Sequence, residues 1–284
     1  MSWTQRRVIN FAHQGGSYEA PSSTLYAMAQ ALARGATALE LDVHATRDRQ
    51  LVVCHDETVD RTTNARGSIA ELSLADLREL DNAFYFVEGY DVAPGRDEVE
   101  YALRGRAPED RRLGVATLAE VFTAFPGVLI NLDIKQTDPD VEGYEDLLAE
   151  EIARFAREDT VVVASFHDRA LARFRHRAPG VATSAATDEV AAFYFSLLEG
   201  GAPRVPPAQL LQVPMAYEGI ELVDERFVRR AHECGLGVHV WTLNEEHEVA
   251  RALSLGVDGV VSDRPSMVSA QLERRGLTWD ARLA

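Results

Sequence analysis

The 284-residue sequence has few cysteines and no long apolar run, and both features limit what it can encode. Its two cysteines, Cys54 and Cys234, lie far apart and belong to no Cys-x-x-Cys pair, so the sequence predicts neither a disulfide framework nor a zinc cluster. No stretch reaches the roughly 18 consecutive apolar residues of a membrane span, and residues 1–13 lack the apolar core of a signal peptide. We therefore expect a cytoplasmic protein without a transmembrane segment.

Positive charge is also scarce, with 29 Lys and Arg residues against 45 Asp and Glu residues and a formal net charge of −16. Nucleic acids and anionic membrane surfaces need a basic face on the protein that binds them. We expect no nucleic-acid partner for this chain. An anionic substrate would need locally supplied positive charge.

Short β-rich runs alternate with helical patterns along nearly the whole chain. In one helical pattern, Leu25, Met28, Ala29 and Leu32 follow i, i+3, i+4, i+7 spacing. Eight such units in one chain predict a (β/α)₈ TIM barrel that forms a single domain over residues 1–284, with a doubly wound open sheet as the alternative. The eight predicted strands are residues 8–13, 38–45, 128–135, 160–166, 180–186, 210–216, 237–243 and 257–262.

Two segments do not fit the simple alternation. Residues 51–56 follow the second strand after a short turn, and we interpret them as part of a hairpin or extended loop at the top of the barrel. Residues 82–115 form a long, acidic, aromatic-bearing stretch, and loops of that length are usually functional or mobile. We predict that they are an insertion over the active-site mouth without a core of their own.

Ionisable side chains interrupt the second and third predicted strands. Alternation along residues 38–45 places Glu40 and Asp42 on the face opposite the apolar residues, which must pack against helices. The acids therefore point into the barrel, where an unpaired carboxylate costs several kcal/mol or takes up a proton. Asp133 and Lys135 occupy the same face of the next strand.

Three carboxylates at strand ends, Glu40, Asp42 and Asp133, would form a hard, oxygen-rich site that suits Mg²⁺ or Ca²⁺. The alternative is a buried ion-pair network, for instance of Lys135 with Asp133 and Glu40. Barrel enzymes place their chemistry at the carboxyl ends of strands, which favours the metal site.

Two histidines, His13 and His55, end the first strand and the 51–56 run. Beside a carboxylate cluster they are best interpreted as a general acid and a general base, because imidazole titrates near neutral pH. His239 lies deeper on its strand, and we expect it in the core.

An ordered set of short motifs over residues 8–265 resembles the glycerophosphodiester phosphodiesterase family. No single tripeptide is specific, but their order and spacing are. The matching residues are His13-Gln14-Gly15, Pro21-Ser22-Ser23-Thr24, Glu40-x-Asp42, His55-Asp56, Arg61-Thr62-Thr63, Asp133-x-Lys135, Trp241-Thr242-Leu243-Asn244, Asp258-Gly259 and Ser262-Asp263-Arg264-Pro265.

The resemblance implies a TIM barrel that uses a divalent cation to hydrolyse a glycerophosphodiester to glycerol 3-phosphate and an alcohol. It implies that the three carboxylates hold the metal and that the two histidines exchange protons with the attacking and leaving oxygens, in an order left open. It also implies that Lys135 stabilises charge on the phosphoryl group and that Trp241 points inward, against the glycerol or alcohol moiety or in packing at the barrel rim. Residues 263–265 are interpreted as a structural strand-to-helix turn.

Four positions depart from the family pattern, two of them as a pair. Gln14 replaces an arginine that contacts phosphate; the resemblance places Gln14 among the phosphate-binding residues, and the lost charge-assisted bond is worth about 1.5 to 3 kcal/mol. Ser22 and Ser23 replace a Glu-Asn pair, and we interpret either serine as the cap of the following helix. Asp133 replaces a glutamate. These departures leave two alternatives: a lysophospholipase D-like enzyme with another substrate, and a phosphodiester-binding barrel without turnover.

Overall fold

The structure is a computed structural model that describes Trp3, residues 8–137 and residues 141–278. In the described residues, eight parallel strands form a barrel. Hydrogen bonds from the Ala185 amide to the Leu210 carbonyl (2.8 Å) and from the Gln209 amide to the Thr183 carbonyl (3.0 Å) join the two ends. In chain order the strands are β1 (Ile9–His13), β2 (Ala38–Ala45), β3 (Leu51–Val53), β4 (Leu129–Ile134), β5 (Val161–Ala164), β6 (Ala182–Thr183), β7 (Leu210–Pro214), β8 (Ala216–Tyr217), β9 (Ile220–Glu221), β10 (Gly237–Trp241) and β11 (Gly259–Ser262). The barrel strands are hydrogen-bonded in the order β6-β5-β4-β2-β1-β11-β10-β7. The predicted TIM barrel is confirmed.

Helices surround the barrel. The first begins one residue after Thr24, whose side-chain oxygen accepts a hydrogen bond from the Ala27 amide at 3.0 Å. The prediction that Ser22 or Ser23 caps this helix is therefore wrong. The helices are α1 (Leu25–Ala33), α2 (Leu74–Arg78), α3 (Leu118–Ala124), α4 (Tyr144–Arg154), α5 (Asp168–Arg177), α6 (Thr187–Leu198), α7 (Glu225–Glu233), α8 (Glu246–Leu255) and α9 (Pro265–Arg274).

Alternation along each strand separates two layers of core. On β2, Leu39, Leu41 and Val43 are fully buried in the layer between the barrel and its helices. On the inward face, Ala38 packs with Phe11 and other apolar side chains that fill the lower half of the barrel. The polar inward positions of β2 and β4 lie above this layer, toward the carboxyl ends of the strands.

The two irregular segments of the sequence lie near the carboxyl-terminal end of β2. β3 pairs antiparallel with β2, with Val53 opposite Val43, so residues 51–56 begin as the expected hairpin. Residues 82–115 contain turns and two short 3₁₀ helices, Glu98–Glu100 and Arg111–Leu113. Their small apolar cluster also takes in Tyr26 of α1. That this segment covers the active-site mouth remains a prediction.

The helices contain no membrane span. Across the described ranges, none is both long and apolar enough to cross a bilayer.

Candidate active site

Strand register brings the predicted site residues to one end of the barrel. His13, the last residue of β1, is the register partner of Glu40 on β2, and Asp42 is the register partner of Asp133 on β4. His55 follows β3, which β2 holds in place. Four chain segments from β1, β2, β4 and the end of β3 thus present their polar side chains together at the strands' carboxyl ends.

A cavity of about 670 Å³ opens at this end of the barrel. Gln14 is the one predicted site residue that does not line it. The predicted residues that line it are His13, Glu40, Asp42, His55, Asp133, Lys135 and Trp241. The volume is in the range of pockets that hold small-molecule ligands.

The two histidine rings lie edge to face, with their centroids 5.8 Å apart. Each is held at Nδ1 by a carboxylate: His13 by Asp263 at 2.6 Å and His55 by Asp56 at 2.7 Å. A carboxylate at one ring nitrogen fixes the orientation of the imidazole and leaves Nε2, on the other side of the ring, for chemistry.

Asp263 is a site residue that the sequence interpretation missed, because residues 263–265 read as a structural turn. Besides His13, its carboxylate accepts hydrogen bonds from Ser17 (2.7 Å) and Asn244 (2.6 Å). These hydrogen bonds help to lower the pKa of Asp263, although burial alone would raise it. The Asp-x-Pro motif named in the resemblance was the available signal.

Arg61 supports the second histidine. Its Nε lies 2.7 Å from Asp56, and its Nη1 lies 2.9 Å from both carboxylate oxygens of Asp91. The hydrogen bond with His55 is the main reason that the pKa of Asp56 falls to about 2. Asp91 belongs to the 82–115 segment, which is thereby tied to the site.

Gln14 lies beside His13, with its amide nitrogen 3.4 Å from the Nε2 of that ring. Its side-chain oxygen accepts hydrogen bonds from Ser22 at 2.5 Å and from Arg61 at 3.3 Å, and it is buried. The side-chain amide of Gln14 therefore has hydrogen-bond partners within the protein and does not line the cavity. A contact between Gln14 and phosphate stays a prediction.

Lys135 pairs with two of the three carboxylates. Its Nζ lies 3.0 Å from Asp42 Oδ1 and 2.7 Å from Asp133 Oδ2. An ion-pair network was the alternative interpretation of these residues, and the structure contains one, with Asp42 in place of Glu40. Among the described residues, the other carboxylate oxygens, Asp42 Oδ2 and Asp133 Oδ1, are buried and have no hydrogen-bond partner.

Burial and neighbouring carboxylates disfavour charge on Glu40 and Asp133. Burial, together with the charge of Asp42, raises the pKa of Glu40 to about 8, and burial raises the pKa of Asp133 to about 6. Among the described residues, no group of three or more His, Cys, Asp or Glu side chains is arranged so that it could hold a metal ion. The ammonium of Lys135 lies between the two aspartates, where a cation would otherwise reach both.

The donor set nevertheless fits a hard cation. Asp42 and Asp133 each have one buried oxygen that no described residue satisfies, and such a buried acceptor costs about 1 to 3 kcal/mol. Mg²⁺ and Ca²⁺ prefer such oxygens. A cation could bind them if the Lys135 side chain turned away.

We expect the free energy of unfolding, measured in chelator, to fall as the pH rises from about 6.5 through 9. Burial alone would lower the pKa of His13, but the hydrogen bond to Asp263 and the charge of Glu40 outweigh it and raise the pKa to about 9. A raised folded-state pKa contributes stability that is complete below the unfolded value and is lost above the folded one. The raised pKa of Glu40 acts in the same direction.

Urea titrations across this pH range measure the effect. The His13→Gln protein should show a shallower decline, because its side chain cannot lose a proton. A wild-type profile that is flat or rises over the range would contradict the expectation.

The chain is similar to known proteins over most of its length. The model of the Glycerophosphoryl diester phosphodiesterase family matches residues 13–267. A glycerophosphodiester phosphodiesterase of Bacillus altitudinis is 29% identical over 261 residues, which cover 90% of this chain and 94% of the relative. Lysophospholipase D GDPD1 of Homo sapiens is 26% identical over 279 residues, which cover 90% of this chain and 83% of the relative.

A solved structure has the same fold. The Oleispira antarctica phosphodiesterase in complex with sn-glycerol-3-phosphate superposes with a TM-score of 0.70, at 22% identity, over 94% of this chain and 97% of that one. The family match covers most of the chain and includes all of the predicted site residues. The chain therefore belongs to the glycerophosphoryl diester phosphodiesterase family.

Proposed function

We propose that this protein hydrolyses a glycerophosphodiester to glycerol 3-phosphate and an alcohol. In this proposal His13 and His55 exchange protons with the attacking and leaving oxygens, and Glu40, Asp42 and Asp133 hold a divalent cation. The B. altitudinis relative bears the name of this activity, and the O. antarctica structure contains its glycerol phosphate product.

The observation that carries the proposal is the pairing of two oriented imidazoles above a carboxylate cluster. His13 and His55 line one cavity, each with its Nδ1 fixed by its own aspartate. Phosphoryl transfer needs one group to accept the proton of the attacking water and another to donate a proton to the leaving oxygen. Two imidazoles within 5.8 Å of each other can serve both needs at one phosphorus.

Positive charge for the phosphoryl group has two sources in the proposal. Lys135 lines the cavity and is held by Asp42 and Asp133, and those same aspartates help to raise its pKa. It therefore stays an ammonium over the working pH range. A bound divalent cation would polarise the phosphoryl oxygens and offset their charge.

The missing family arginine at position 14 is not replaced by Arg61. Although Arg61 reaches Gln14, its guanidinium is shared between Asp56 and Asp91 and does not line the cavity. We expect it to position His55. The chain's phosphate affinity then depends on Lys135 and the cation.

Turnover should require a divalent cation. We expect purified protein with Mg²⁺ or Ca²⁺ to release glycerol 3-phosphate from glycerophosphocholine or glycerophosphoethanolamine, with chelator lowering the rate to background and added cation restoring it. An enzyme-coupled assay for glycerol 3-phosphate measures this. A rate that chelator leaves unchanged would contradict the cation's role.

The same assay separates the enzyme from a binding barrel without turnover. Cation binding and ligand binding in the absence of any hydrolysis, over a panel of headgroups, would favour the binding barrel. The retention of both histidine–aspartate pairs supports the enzyme, since binding alone does not need them.

A substrate like that of a lysophospholipase D is the second candidate. The name of the H. sapiens relative supports it, and so do the aromatic side chains Phe166 and Trp241, which line the cavity beside the polar cluster.

A further inference from the structure

The candidate cavity extends well past the catalytic groups, and its outer walls are apolar. We infer that the cavity takes a phosphodiester that carries one long acyl or alkyl chain, with the chain lying between α6 and the β8–β9 hairpin. This inference rests on the proposed function, because it places the phosphodiester of that substrate at His13 and His55. It adds the part of the substrate that the polar cluster does not recognise.

One wall is a face of α6. Val190, Ala191, Tyr194 and Phe195 line the cavity, and they are spaced i, i+1, i+4, i+5, so they share one side of the helix. The opposite side packs into the protein through buried residues that include Phe193. Val190 and Tyr194 also pack partly against the core, whereas Phe195 is 55% exposed. Helix α6 therefore has apolar side chains on two sides, and the protein covers the cavity side only in part.

The other wall is the two-stranded hairpin β8–β9. Tyr217 and Ile220 line the cavity although they are 60% and 50% exposed. The two residues between them, Glu218 and Gly219, have φ values of 48° and 81°, which is typical of a tight hairpin turn. Large apolar side chains held at a tight turn beside a catalytic cavity are placed for a ligand rather than for the core.

Aromatic side chains connect the polar and apolar parts of the cavity. The ring of Phe166, which is 57% exposed, lies 5.6 Å from that of Trp241 in an edge-to-face contact. The Nζ of Lys135 lies 5.8 Å from the centre of the Phe166 ring. The cavity therefore passes from ammonium and carboxylates to aromatic and aliphatic walls without interruption.

A glycerophosphodiester without an acyl or alkyl chain would have no apolar group to place against these walls. Its glycerol and headgroup are polar, and they need hydrogen-bond partners or charge when they are buried. Among the described cavity residues of α6 and the hairpin, Glu218 is the one with a charged side chain. A methylene chain gains from burial against such walls, at about threefold to fourfold in affinity per methylene.

A substrate series with one headgroup tests the inference. We expect kcat/KM to rise at least tenfold from glycerophosphocholine through hexanoyl- and octanoyl- to decanoyl-lysophosphatidylcholine, all assayed as monomers with Mg²⁺ by choline release. Calorimetric titration of the same compounds into the His13→Ala protein measures binding apart from turnover, and we expect the affinity to follow the same order.

Variants in the walls should remove the chain preference and spare the chain-free substrate. Ala191→Phe fills the cavity from α6, and Ala192→Phe is its matched control, since Ala192 is also half-buried but does not line the cavity. Ile220→Ser removes an exposed apolar contact, and Val205→Ser, at a comparably exposed site outside the cavity, is its control. We expect the cavity variants to lose the tenfold gain with decanoyl-lysophosphatidylcholine and to keep the wild-type rate with glycerophosphocholine.

The failures of the two proposals differ. Hydrolysis of glycerophosphocholine with no gain from the chain, in rate or in affinity, would overturn the inference and leave the proposed function standing. Chain-dependent binding to wild type and His13→Ala without hydrolysis of any substrate would overturn the proposed function and leave the chain site standing. Equal chain preference in Ala191→Phe and Ile220→Ser proteins that fold like wild type would also overturn the inference.

Discussion

Replacement of His13 by alanine is expected to lower kcat for the preferred phosphodiester by about 10² to 10⁴, the usual contribution of a positioned acid or base. His13 lies at the end of β1, where Asp263 fixes its Nδ1 at 2.6 Å and Glu40 lies 3.8 Å from its Nε2. Alanine removes the proton-exchanging group and leaves the strand intact. Steady-state rates, with circular dichroism to check folding, measure the effect.

Two further variants sharpen this prediction. His176→Ala, at an exposed position on α5, is the control and should keep the wild-type rate. Asp263→Asn should lower kcat less than His13→Ala and shift the pH profile, because it changes the support of the imidazole and not the imidazole itself. A folded His13→Ala protein with the wild-type rate would show that His13 takes no part in the reaction.

Replacement of Lys135 by methionine is expected to lower the free energy of unfolding by about 3 to 5 kcal/mol at pH 8 in chelator, the usual cost of removing one partner of a buried ion pair. Asp42 and Asp133 are buried, and the variant leaves their carboxylates facing each other on adjacent strands. Added Mg²⁺ should raise the melting temperature of the variant more than that of wild type, because the cation can enter where the ammonium lay.

The pH dependence of that loss has a definite sign. The pKa of Asp133 is already raised to about 6 by burial, and removal of Lys135 would raise it further. At pH 5 Asp133 takes up a proton, the repulsion between the carboxylates falls, and the loss of stability should shrink. Arg251→Met is the control: its partner is Glu221, both side chains are 53% exposed, and such a surface pair contributes little. A Lys135→Met loss that is as small as the control's and independent of pH would contradict the expectation.

The barrel and the polar cluster could be predicted because both follow from local patterns. The alternation of Glu40, Leu41 and Asp42 predicts which side chains point into the barrel interior. Strand register then brings Asp42 beside Asp133. The depth of His239 on its strand predicted that it lies in the core, where it is fully buried and where burial lowers its pKa to about 3. Inward charges on a buried strand are costly, so their presence is informative.

The supporting contacts could not be predicted, because they join residues far apart in the chain. Asp263 reaches His13 across 250 positions, and Asp91 reaches Arg61 from a segment with no periodic pattern. Their motifs read equally well as turns or as exposed surface. The cap of α1 was missed for a smaller reason: three consecutive hydroxyl residues precede the helix, and the backbone geometry selects Thr24.

The apolar walls of the cavity could not be predicted from the sequence, for a different reason. A run such as residues 190–198 is apolar on more than one side, and periodicity alone cannot state which side the protein covers. The tertiary packing of α6 decides that Phe193 is buried and that Phe195 is exposed.

A crystal structure with Mn²⁺ and glycerol 3-phosphate tests the central claim most directly, since the anomalous signal of manganese locates the cation. The account predicts one manganese peak at coordination distance, about 2.1 Å, from carboxylate oxygens of Glu40, Asp42 and Asp133. It also predicts the phosphate between that ion and the rings of His13 and His55. Manganese absent from these carboxylates, or phosphate bound away from both histidines, would contradict it.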